Sequence, residues 1–175
     1  ADIVRKKIDN KKSYDNIEYY GGKSMAADDH GTAQISILAP NGDAISATGT
    51  INYILGSLRR SKTGIILNDE MDDFSTPGSV NVYGLPPSEA NFIRPGKRPM
   101  SSMAPTIIVN KHGDVDMVIG SAGGSRITTA IANTIINYYF FNSEESLEET
   151  FAAKRLHHQL IPNKLLFEEG FDDQI

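Results

Sequence analysis

The sequence contains no cysteine and no tryptophan. Disulfide bonds and thiolate chemistry are therefore excluded within this chain, although a chain without cysteine can still belong to an exported protein. No stretch approaches the roughly 18 consecutive apolar residues of a membrane span, and residues 1–20 lack the hydrophobic segment of a signal peptide. We therefore expect any targeting signal to lie outside this chain.

Positive charge is also scarce. The chain carries 17 Lys and Arg residues against 22 Asp and Glu residues, and its formal net charge is −5. Such a chain offers no basic surface for a phosphate backbone, so nucleic acid is not an expected partner. What the sequence does contain, 39% hydrophobic residues over 175 positions, is the composition of one globular domain with a sizeable core.

The order of the predicted elements favours an α+β fold. Apolar spacing, turn residues and glycines predict, in chain order, a short helix in 1–9, a polar linker at 10–31, strands at 32–39 and 44–50, an ordered loop at 56–105, strands at 106–111 and 115–120, an apolar helix after a glycine turn at 120–126, a helix at 144–155 and a strand at 164–169. The pair Asn41-Gly42 is a strong hairpin signal between the first two strands. A loop as long as 56–105 is unusual without a function, so binding residues are expected there.

The segment "NDEMDDF" at 68–74 is acidic. It places Asp69, Glu70, Asp72 and Asp73 within a few positions, which suits a cation or the ammonium group of a substrate. It is not a calcium loop of the helix-loop-helix type, because the glycine and the final glutamate of that pattern are absent. The alternative is a solvated acidic turn.

Two further segments could bind an anion or carry chemistry. "PMSSMAPT" at 99–106 presents two neighbouring hydroxyls between prolines, Ser101 and Ser102, which could donate to a carboxylate or simply form a polar turn. "GSAGGSR" at 120–126 offers unhindered backbone N–H groups before a helix, an arrangement that binds phosphates or a developing oxyanion. The Gly-Lys-Ser/Thr ending of a nucleotide-binding loop is missing.

Other chemistry-bearing residues give weaker patterns. His157 and His158 are adjacent, so on a helix they would diverge by about 100° and could not ligate one metal as i,i+4 pairs do. We interpret both histidines as helix-surface or capping residues. No metal or other cofactor is expected. No Gly-x-Ser-x-Gly turn is present to hold a nucleophilic serine. The aromatic run at 138–141 is interpreted as core or interface.

The stretch "ADDHGTAQISIL" changes abruptly from polar residues to a strand pattern at Gly31-Thr32. A threonine at the start of a strand has an ordinary explanation, because β-branched residues favour strands and glycine ends the preceding segment. From the residues alone, that is the default interpretation of Thr32.

Taken together, these segments and their order resemble the γ-glutamyltransferase (γ-glutamyl transpeptidase) family. The resemblance is to its small catalytic subunit preceded by the end of the large subunit, and it rests on "DDHGTAQISIL", "SATGTIN", "GIILNDEMDDFS", "NVYGLPPSEANFIRPGKRPMSSMAPTI", "GSAGGSRITTA" and "RLHHQLIPN". "PPSEANFIRPGK" is similar to the animal-type enzymes, which lack the lid loop of many bacterial members. The resemblance implies the αββα four-layer fold of N-terminal nucleophile hydrolases and self-cleavage between Gly31 and Thr32.

The resemblance also implies a role for each site residue. Cleavage would give Thr32 a free α-amine with a pKa near 7.7–8.0, so this residue would supply both nucleophile and base. The other implied roles are orientation of that hydroxyl by Thr50, binding of the substrate ammonium by Asn52, Glu70 and Asp73, binding of its α-carboxylate by Ser101 and Ser102, and an oxyanion hole formed by the N–H groups of Gly123 and Gly124.

The domain organisation follows from the same resemblance. Residues 1–31 would be the C-terminal end of the large subunit, and residues 32–175 a C-terminally truncated small-subunit region. Expected partners are the large subunit of the same precursor, glutathione or another γ-glutamyl donor, and an amino acid, dipeptide or water as acceptor. The parent protein is expected to be extracellular or at the cell surface. The isolated fragment is expected to be inactive, because the arginine that pairs with the substrate carboxylate in the family lies in the absent part.

Two other functions compete with this one. The first is a non-catalytic, light-chain-like homologue that acts in binding or assembly. The joint presence of Thr32, Thr50 and Gly123-Gly124 argues against it. The second is an anion-binding α/β module that uses 120–126, and this leaves the acidic segment 68–74 unexplained.

Overall fold

The structure, a computed structural model, describes residues 2–9, 11–12, 14, 16–20, 31–80, 86–141 and 146–171. Its helices are α1 (Asp2–Arg5), α2 (Ile127–Ile136) and α3 (Leu147–Ala152), and its strands are β1 (Thr32–Leu38), β2 (Ala44–Thr50), β3 (Thr106–Val109), β4 (Val115–Ile119), β5 (Leu156–His157) and β6 (Leu166–Phe167). Within these ranges the strands form three antiparallel pairs, β1 with β2, β3 with β4, and β5 with β6.

The first hairpin forms where the sequence predicts it. β1 and β2 pair without interruption from Thr32 opposite Thr50 to Leu38 opposite Ala44. The turn places Gly42 at a φ of 90°, a conformation that glycine adopts at no steric cost. The predicted strands and hairpin are therefore confirmed.

The polar face of this hairpin is the one that is partly buried. Its apolar positions are open, with Ile35 56% and Ile37 45% exposed, whereas Gln34 is half-buried. The polar face is turned toward the second hairpin, where the Ser46 hydroxyl donates to the Ile119 carbonyl at 3.0 Å. Hydrogen bonds among polar side chains compensate for burial of this face.

The buried apolar core lies between β4 and α2. It consists of Met117, Ile119, Ile127 and Ile131, and the side chains that pack against it include Ile108, Tyr138 and Tyr139. The glycine turn before α2 and the apolar helix itself are thus confirmed. Of the aromatic run, the two tyrosines join the core, whereas Phe140 and Phe141 are 76% and 74% exposed.

The second predicted helix is shorter than expected. α3 begins after Ser146, whose hydroxyl accepts from the Glu149 N–H at 3.2 Å while the Glu149 carboxylate accepts from the Ser146 N–H at 2.8 Å. This capping box fixes the start of the helix. The Ser146 N–H and the Ser146 hydroxyl, which donates to the Glu149 carboxylate at 2.9 Å, lower the pKa of Glu149. Part of the predicted range, 144–145, lies outside the described residues.

The two histidines lie beyond α3. His157 belongs to β5, which pairs with β6, so the interpretation of His157 and His158 as helix-surface residues is wrong. The strand predicted at 164–169 is present as the two residues of β6. A two-residue strand has too little periodicity to be predicted, which is why β5 was missed.

The long loop is confirmed as irregular structure wherever it is described. Within 56–80 and 86–105 it contains two short 3₁₀ turns, Glu70–Asp73 and Glu89–Asn91. The linker predicted at 10–31 lies largely outside the described residues, apart from single positions and a 3₁₀ turn at Ile17–Tyr20. Among the residues that are described, no helix has the length and apolar character needed to cross a membrane.

Candidate active site

The centre of the site is the junction between Gly31 and Thr32. Thr32 is the first residue of β1 and lies directly across the hairpin from Thr50, the last residue of β2. The Thr50 hydroxyl donates to the Gly31 carbonyl with an oxygen-oxygen distance of 3.1 Å. The pairing of the two strands therefore places a hydrogen-bond donor on the peptide bond that precedes Thr32.

Asn52 supports this arrangement from the segment after β2. Its backbone N–H donates to the Thr50 hydroxyl at 2.8 Å, so the oxygen of Thr50 accepts one hydrogen bond and donates another. Asn52 is 3% exposed and has a φ of 69°, a conformation in which asparagine is enriched. Its side-chain amide reaches the Asp69 carbonyl at 3.4 Å, and the Asp69 carboxylate accepts from the Tyr53 N–H at 3.2 Å.

The acidic segment is a 3₁₀ turn, Glu70–Asp73, that follows Asp69 directly. Glu70 and Asp73 are both half-buried. The Asn68 side chain accepts from the Glu70 N–H at 3.2 Å and so shapes the entry to the turn. Because Asp69 is bonded to the Asn52 segment, the acidic turn is fixed next to the end of β2. Within the turn, Glu70 and Asp73 are partly withdrawn from solvent, whereas Asp72 is exposed.

The serine pair lies on an extended segment before β3. Ser101 is exposed, and its hydroxyl accepts from the Met103 N–H at 3.2 Å, whereas Ser102 is half-buried. The residue before this pair, Met100, donates its N–H to the Asn91 side chain at 2.9 Å. The same Asn91 side chain donates to the Asp73 carbonyl at 2.7 Å. A single buried amide thus joins the serine segment to the acidic turn.

The glycine loop runs from β4 to the start of α2. Gly123 and Gly124 have φ values of 129° and 62°, which side-chain-bearing residues rarely adopt. The loop begins at Gly120, where an added Cβ would lie 2.1 Å from Cδ of Gln34. Gln34 is two positions along β1 from Thr32 and therefore on the same face of the strand. The first residue of the loop consequently lies on the Thr32 face of β1.

A cavity of about 330 Å³ lies beside the glycine loop. Its wall includes Gly123 and His157, and His157 is 8% exposed. The His157 ring is hydrogen bonded through Nδ1 to the Thr129 hydroxyl at 2.7 Å and through Nε2 to the Gln159 side chain at 3.0 Å. With both ring nitrogens occupied, His157 connects α2 to β5. In the described parts of the chain, no group of three or more His, Cys, Asp or Glu residues is arranged to hold a metal ion.

The structure thus connects most of the residues that the sequence singled out. Hydrogen bonds join Gly31, Thr50 and Asn52, and Asp69 links them to the acidic turn. Gly123 and Gly124 follow Gly120, the point at which the glycine loop meets the Thr32 face of β1. The sequence patterns assign no role to two residues of this network, because Asp69 is one acid among four and Asn91 lies in a loop with no periodic pattern.

The described part of the chain combines antiparallel hairpins, the first of which begins at Thr32, with a following helix. The crystal structure of an acivicin-inhibited gamma-glutamyltranspeptidase shares this fold with a TM-score of 0.71 and 40% identity, covering 81% of this chain and 74% of that one. The chain has part of the N-terminal nucleophile hydrolase fold.

Sequence comparison identifies the family. The gamma-glutamyltranspeptidase family matches residues 1–175, and the chain belongs to this family. Scoloptoxin SSD14 of Scolopendra dehaani is 48% identical over 178 residues, which is 99% of this chain and 30% of that protein. Glutathione hydrolase proenzyme 1 of Schizosaccharomyces pombe is 45% identical over 176 residues, 100% of this chain and 27% of that protein. The chain therefore spans less than a third of the length of these two relatives.

Proposed function

We propose that this chain is part of a precursor that cleaves itself before Thr32 and then transfers γ-glutamyl groups to an amino acid, a dipeptide or water. Glutathione and other γ-glutamyl compounds are the proposed donors. In this scheme residues 1–31 end the large subunit and residues 32–175 belong to the small subunit. One observation carries the proposal. The hydroxyl of Thr50 donates a hydrogen bond to the Gly31 carbonyl, and Thr50 is the cross-strand partner of Thr32.

The maturation step uses only groups of this chain and water. The Thr32 hydroxyl oxygen attacks the Gly31 carbonyl carbon, and its proton is transferred to the nitrogen of Thr32 as the C–N bond breaks. The product is an ester between Gly31 and the Thr32 side chain, and water hydrolyses it to a Gly31 carboxylate and a free Thr32. The Thr50 hydroxyl stabilises the negative charge that develops on the Gly31 oxygen, as a preorganised donor does in acyl transfer.

Turnover repeats the same chemistry on a substrate. The new α-amine of Thr32 accepts the hydroxyl proton, because a free α-amine has a pKa of about 7.7–8.0. The hydroxyl oxygen attacks the γ-carbonyl of the donor, the amine of the leaving group departs with a proton, and a glutamyl ester forms on Thr32. An acceptor amine or water then attacks this ester and releases the threonine. The N–H groups of Gly123 and Gly124 are proposed to stabilise the oxyanion.

The α-amino acid end of the donor is proposed to bind between the acidic turn and the serine segment. Asn52, Glu70 and Asp73 would surround its ammonium group, and the hydroxyls of Ser101 and Ser102 would bind its carboxylate. Support comes from the network itself, which fixes the acidic turn against Asn52 through Asp69 and against the serine segment through Asn91. Charged groups that complement a ligand and are partly desolvated make a site selective for that ligand.

The remaining part of the precursor is the proposed partner of the exposed hairpin face. Ile35, Ile37 and Ile45 are 56%, 45% and 55% exposed and share one side of β1 and β2. A continuous apolar face of this kind marks an interaction surface. We propose that the large subunit covers it. An extracellular or cell-surface location of the parent protein stays a prediction.

The decisive experiment is replacement of Thr32 in the full-length precursor. Thr32→Ala should leave one uncut chain that forms no glutamyl adduct, because both steps need the hydroxyl. Thr32→Ser should retain part of both, since serine lacks only the methyl group that restricts χ1. Gel analysis reports cleavage, and mass spectrometry after exposure to a slow γ-glutamyl analogue reports the adduct.

The same experiment separates this function from its competitors. Normal cleavage and labelling in the alanine variant would remove Thr32 from the mechanism. A wild-type precursor that folds but neither cleaves nor acquires the adduct would favour the light-chain-like binding or assembly role instead.

A further inference from the structure

We propose that Asn91 is a positioning residue that fixes the spacing between the two halves of the donor site. One half is the acidic turn with Asp73, and the other is the segment with Ser101 and Ser102. The inference rests on the proposed function, because it assigns those two halves to the ammonium and carboxylate groups of one γ-glutamyl donor. What it adds is the residue that sets the distance between them.

The side chain of Asn91 bonds to both halves of the donor site. Its side-chain NH₂ donates to the Asp73 carbonyl at 2.7 Å, and its side-chain oxygen accepts from the Met100 N–H at 2.9 Å. Asn91 is 5% exposed. The Asn91 amide is therefore largely withdrawn from water, so the loss of either partner is costly.

Hydrogen bonds also restrain the backbone of Asn91 and of its two neighbours. Its N–H donates to the Ser88 carbonyl at 2.9 Å, and its carbonyl accepts from the Ser75 N–H at 3.1 Å. The Lys97 ammonium donates to the carbonyls of the residues on both sides of Asn91, Ala90 and Phe92. A side chain carried on such a restrained backbone can define a distance, whereas one on a loosely held loop could not.

Asparagine suits this role because its side chain offers a donor and an acceptor at fixed separation. Aspartate at position 91 would keep an acceptor for the Met100 N–H but would place a carboxylate oxygen against the Asp73 carbonyl. Alanine would remove both bonds. Comparison of the two variants therefore separates the bond to the acidic turn from the bond to the serine segment.

The proposal distinguishes donor binding from self-cleavage. The ammonium and carboxylate groups of an α-amino acid have a fixed separation, so a shift of either half weakens binding of the donor. Cleavage joins the hydroxyl of Thr32 to the neighbouring carbonyl of Gly31, and it uses neither half of the donor site. A positioning residue for the donor should consequently affect the first process and spare the second.

The test compares Asn91→Ala and Asn91→Asp with wild type in the full-length precursor. The extent of self-cleavage and the KM and kcat for a γ-glutamyl anilide are measured. We expect normal cleavage in both variants, a KM raised about tenfold or more in the alanine variant, as loss of two buried hydrogen bonds implies, and a kcat reduced by less than about threefold. The aspartate variant keeps the acceptor for the Met100 N–H but sets a carboxylate oxygen against the Asp73 carbonyl, so its KM should rise at least as much. Asp73→Ala, which removes a proposed ammonium ligand, provides the reference for loss of donor binding.

Asn133→Ala is the matched control. The Asn133 side chain also makes two hydrogen bonds, one within α2 to the Thr129 carbonyl at 2.7 Å and one to the Leu156 carbonyl of β5 at 2.9 Å. This variant should lose thermal stability and keep the wild-type KM. An unchanged KM in both Asn91 variants of an active enzyme, or an equal increase in Asn133→Ala, would overturn the positioning role alone. A wild-type precursor without cleavage or turnover would overturn the proposed function and the positioning role together.

Discussion

The side chain of Thr50 donates to the carbonyl of Gly31 at 3.1 Å, while its backbone lies opposite Thr32 across the first hairpin. The hydroxyl also accepts the N–H of Asn52 at 2.8 Å, which directs its own proton toward Gly31. The register of a two-stranded sheet therefore determines which peptide bond receives this donor. A shift by one residue would turn Thr50 to the other face of the hairpin.

The first prediction concerns this donor. Thr50→Val in the full-length precursor should slow self-cleavage by about 100-fold or more, the usual loss when one preorganised oxyanion donor is removed. Thr50→Ser keeps the hydroxyl and should cleave at a rate close to wild type. Time courses on denaturing gels give the rates.

Thr48→Val is the control for this prediction. Thr48 lies on the same strand and face as Thr50, but its hydroxyl donates to the Gln34 side chain rather than to the cleavage junction. It should cleave at nearly the wild-type rate. Equal slowing in the two valine variants would show that loss of any hydroxyl on this face is sufficient, and the assignment of Thr50 would be withdrawn.

The second prediction concerns the space around Gly31. An added Cβ at this position would lie 2.4 Å from the Asn52 carbonyl oxygen and 2.9 Å from the Tyr53 carbonyl oxygen. Both are backbone atoms, so Gly31→Ala must displace the chain just before Thr32. Because a misplacement of about 1 Å can reduce a rate about 100-fold, we expect cleavage to slow by a factor of this order.

Gly49→Ala provides the comparison, because an added Cβ at Gly49 meets no atom within 4 Å. Gly49 lies next to Thr50 in the same hairpin and should tolerate alanine with normal cleavage. If Gly31→Ala also cleaves at the wild-type rate, the close approach of Asn52 and Tyr53 has no role in presenting the bond.

The sequence predicts the elements of this fold better than it predicts their burial. Alternation and the Asn41-Gly42 turn locate the first hairpin, and both signals are local. Which face of the hairpin is buried depends on what packs against it, and in this chain the contact between Ser46 and Ile119 turns the polar face inward. Strict alternation assigns burial to the apolar face, so the exposure of Ile35 and Ile37 could not be predicted from it.

Some residues of the candidate site could likewise be predicted from the sequence, and others could not. Thr32, Thr50 and the acidic turn lie in stretches with recognisable motifs, so their residues could be named before the structure was known. Asn91 could not be assigned, because its importance comes from two bonds to segments that are 18 and 9 positions away in the chain. Periodicity describes neighbours along an element and contains no information on such long-range contacts between loops.

The last prediction concerns the pair Arg155–Glu168, which lies beside the β5–β6 pairing. The Arg155 guanidinium donates to the Glu168 carboxylate at 2.6 and 3.0 Å, and the Arg155 backbone N–H donates to the same group at 3.1 Å. These hydrogen bonds, the side-chain ones foremost, lower the pKa of Glu168 below its ordinary value of 4.5. A carboxyl group whose pKa is lowered by folding stabilises the protein at pH values above its unfolded pKa, and this contribution is lost as the pH falls through the folded pKa.

Glu168→Gln should therefore reduce the free energy of unfolding at pH 7. The two side chains are 39% and 42% exposed, so solvent screening limits the loss to about 1 kcal/mol or less. The deficit relative to wild type should be constant from pH 7 to about pH 5 and should shrink once the pH falls below the unfolded value near 4.5. Urea unfolding midpoints of the two proteins across this range measure it, and Glu169→Gln, which removes the same charge from the neighbouring position, should show no such pH-dependent deficit. A deficit that persists unchanged at acid pH would mean that Glu168 acts through packing rather than through its charge.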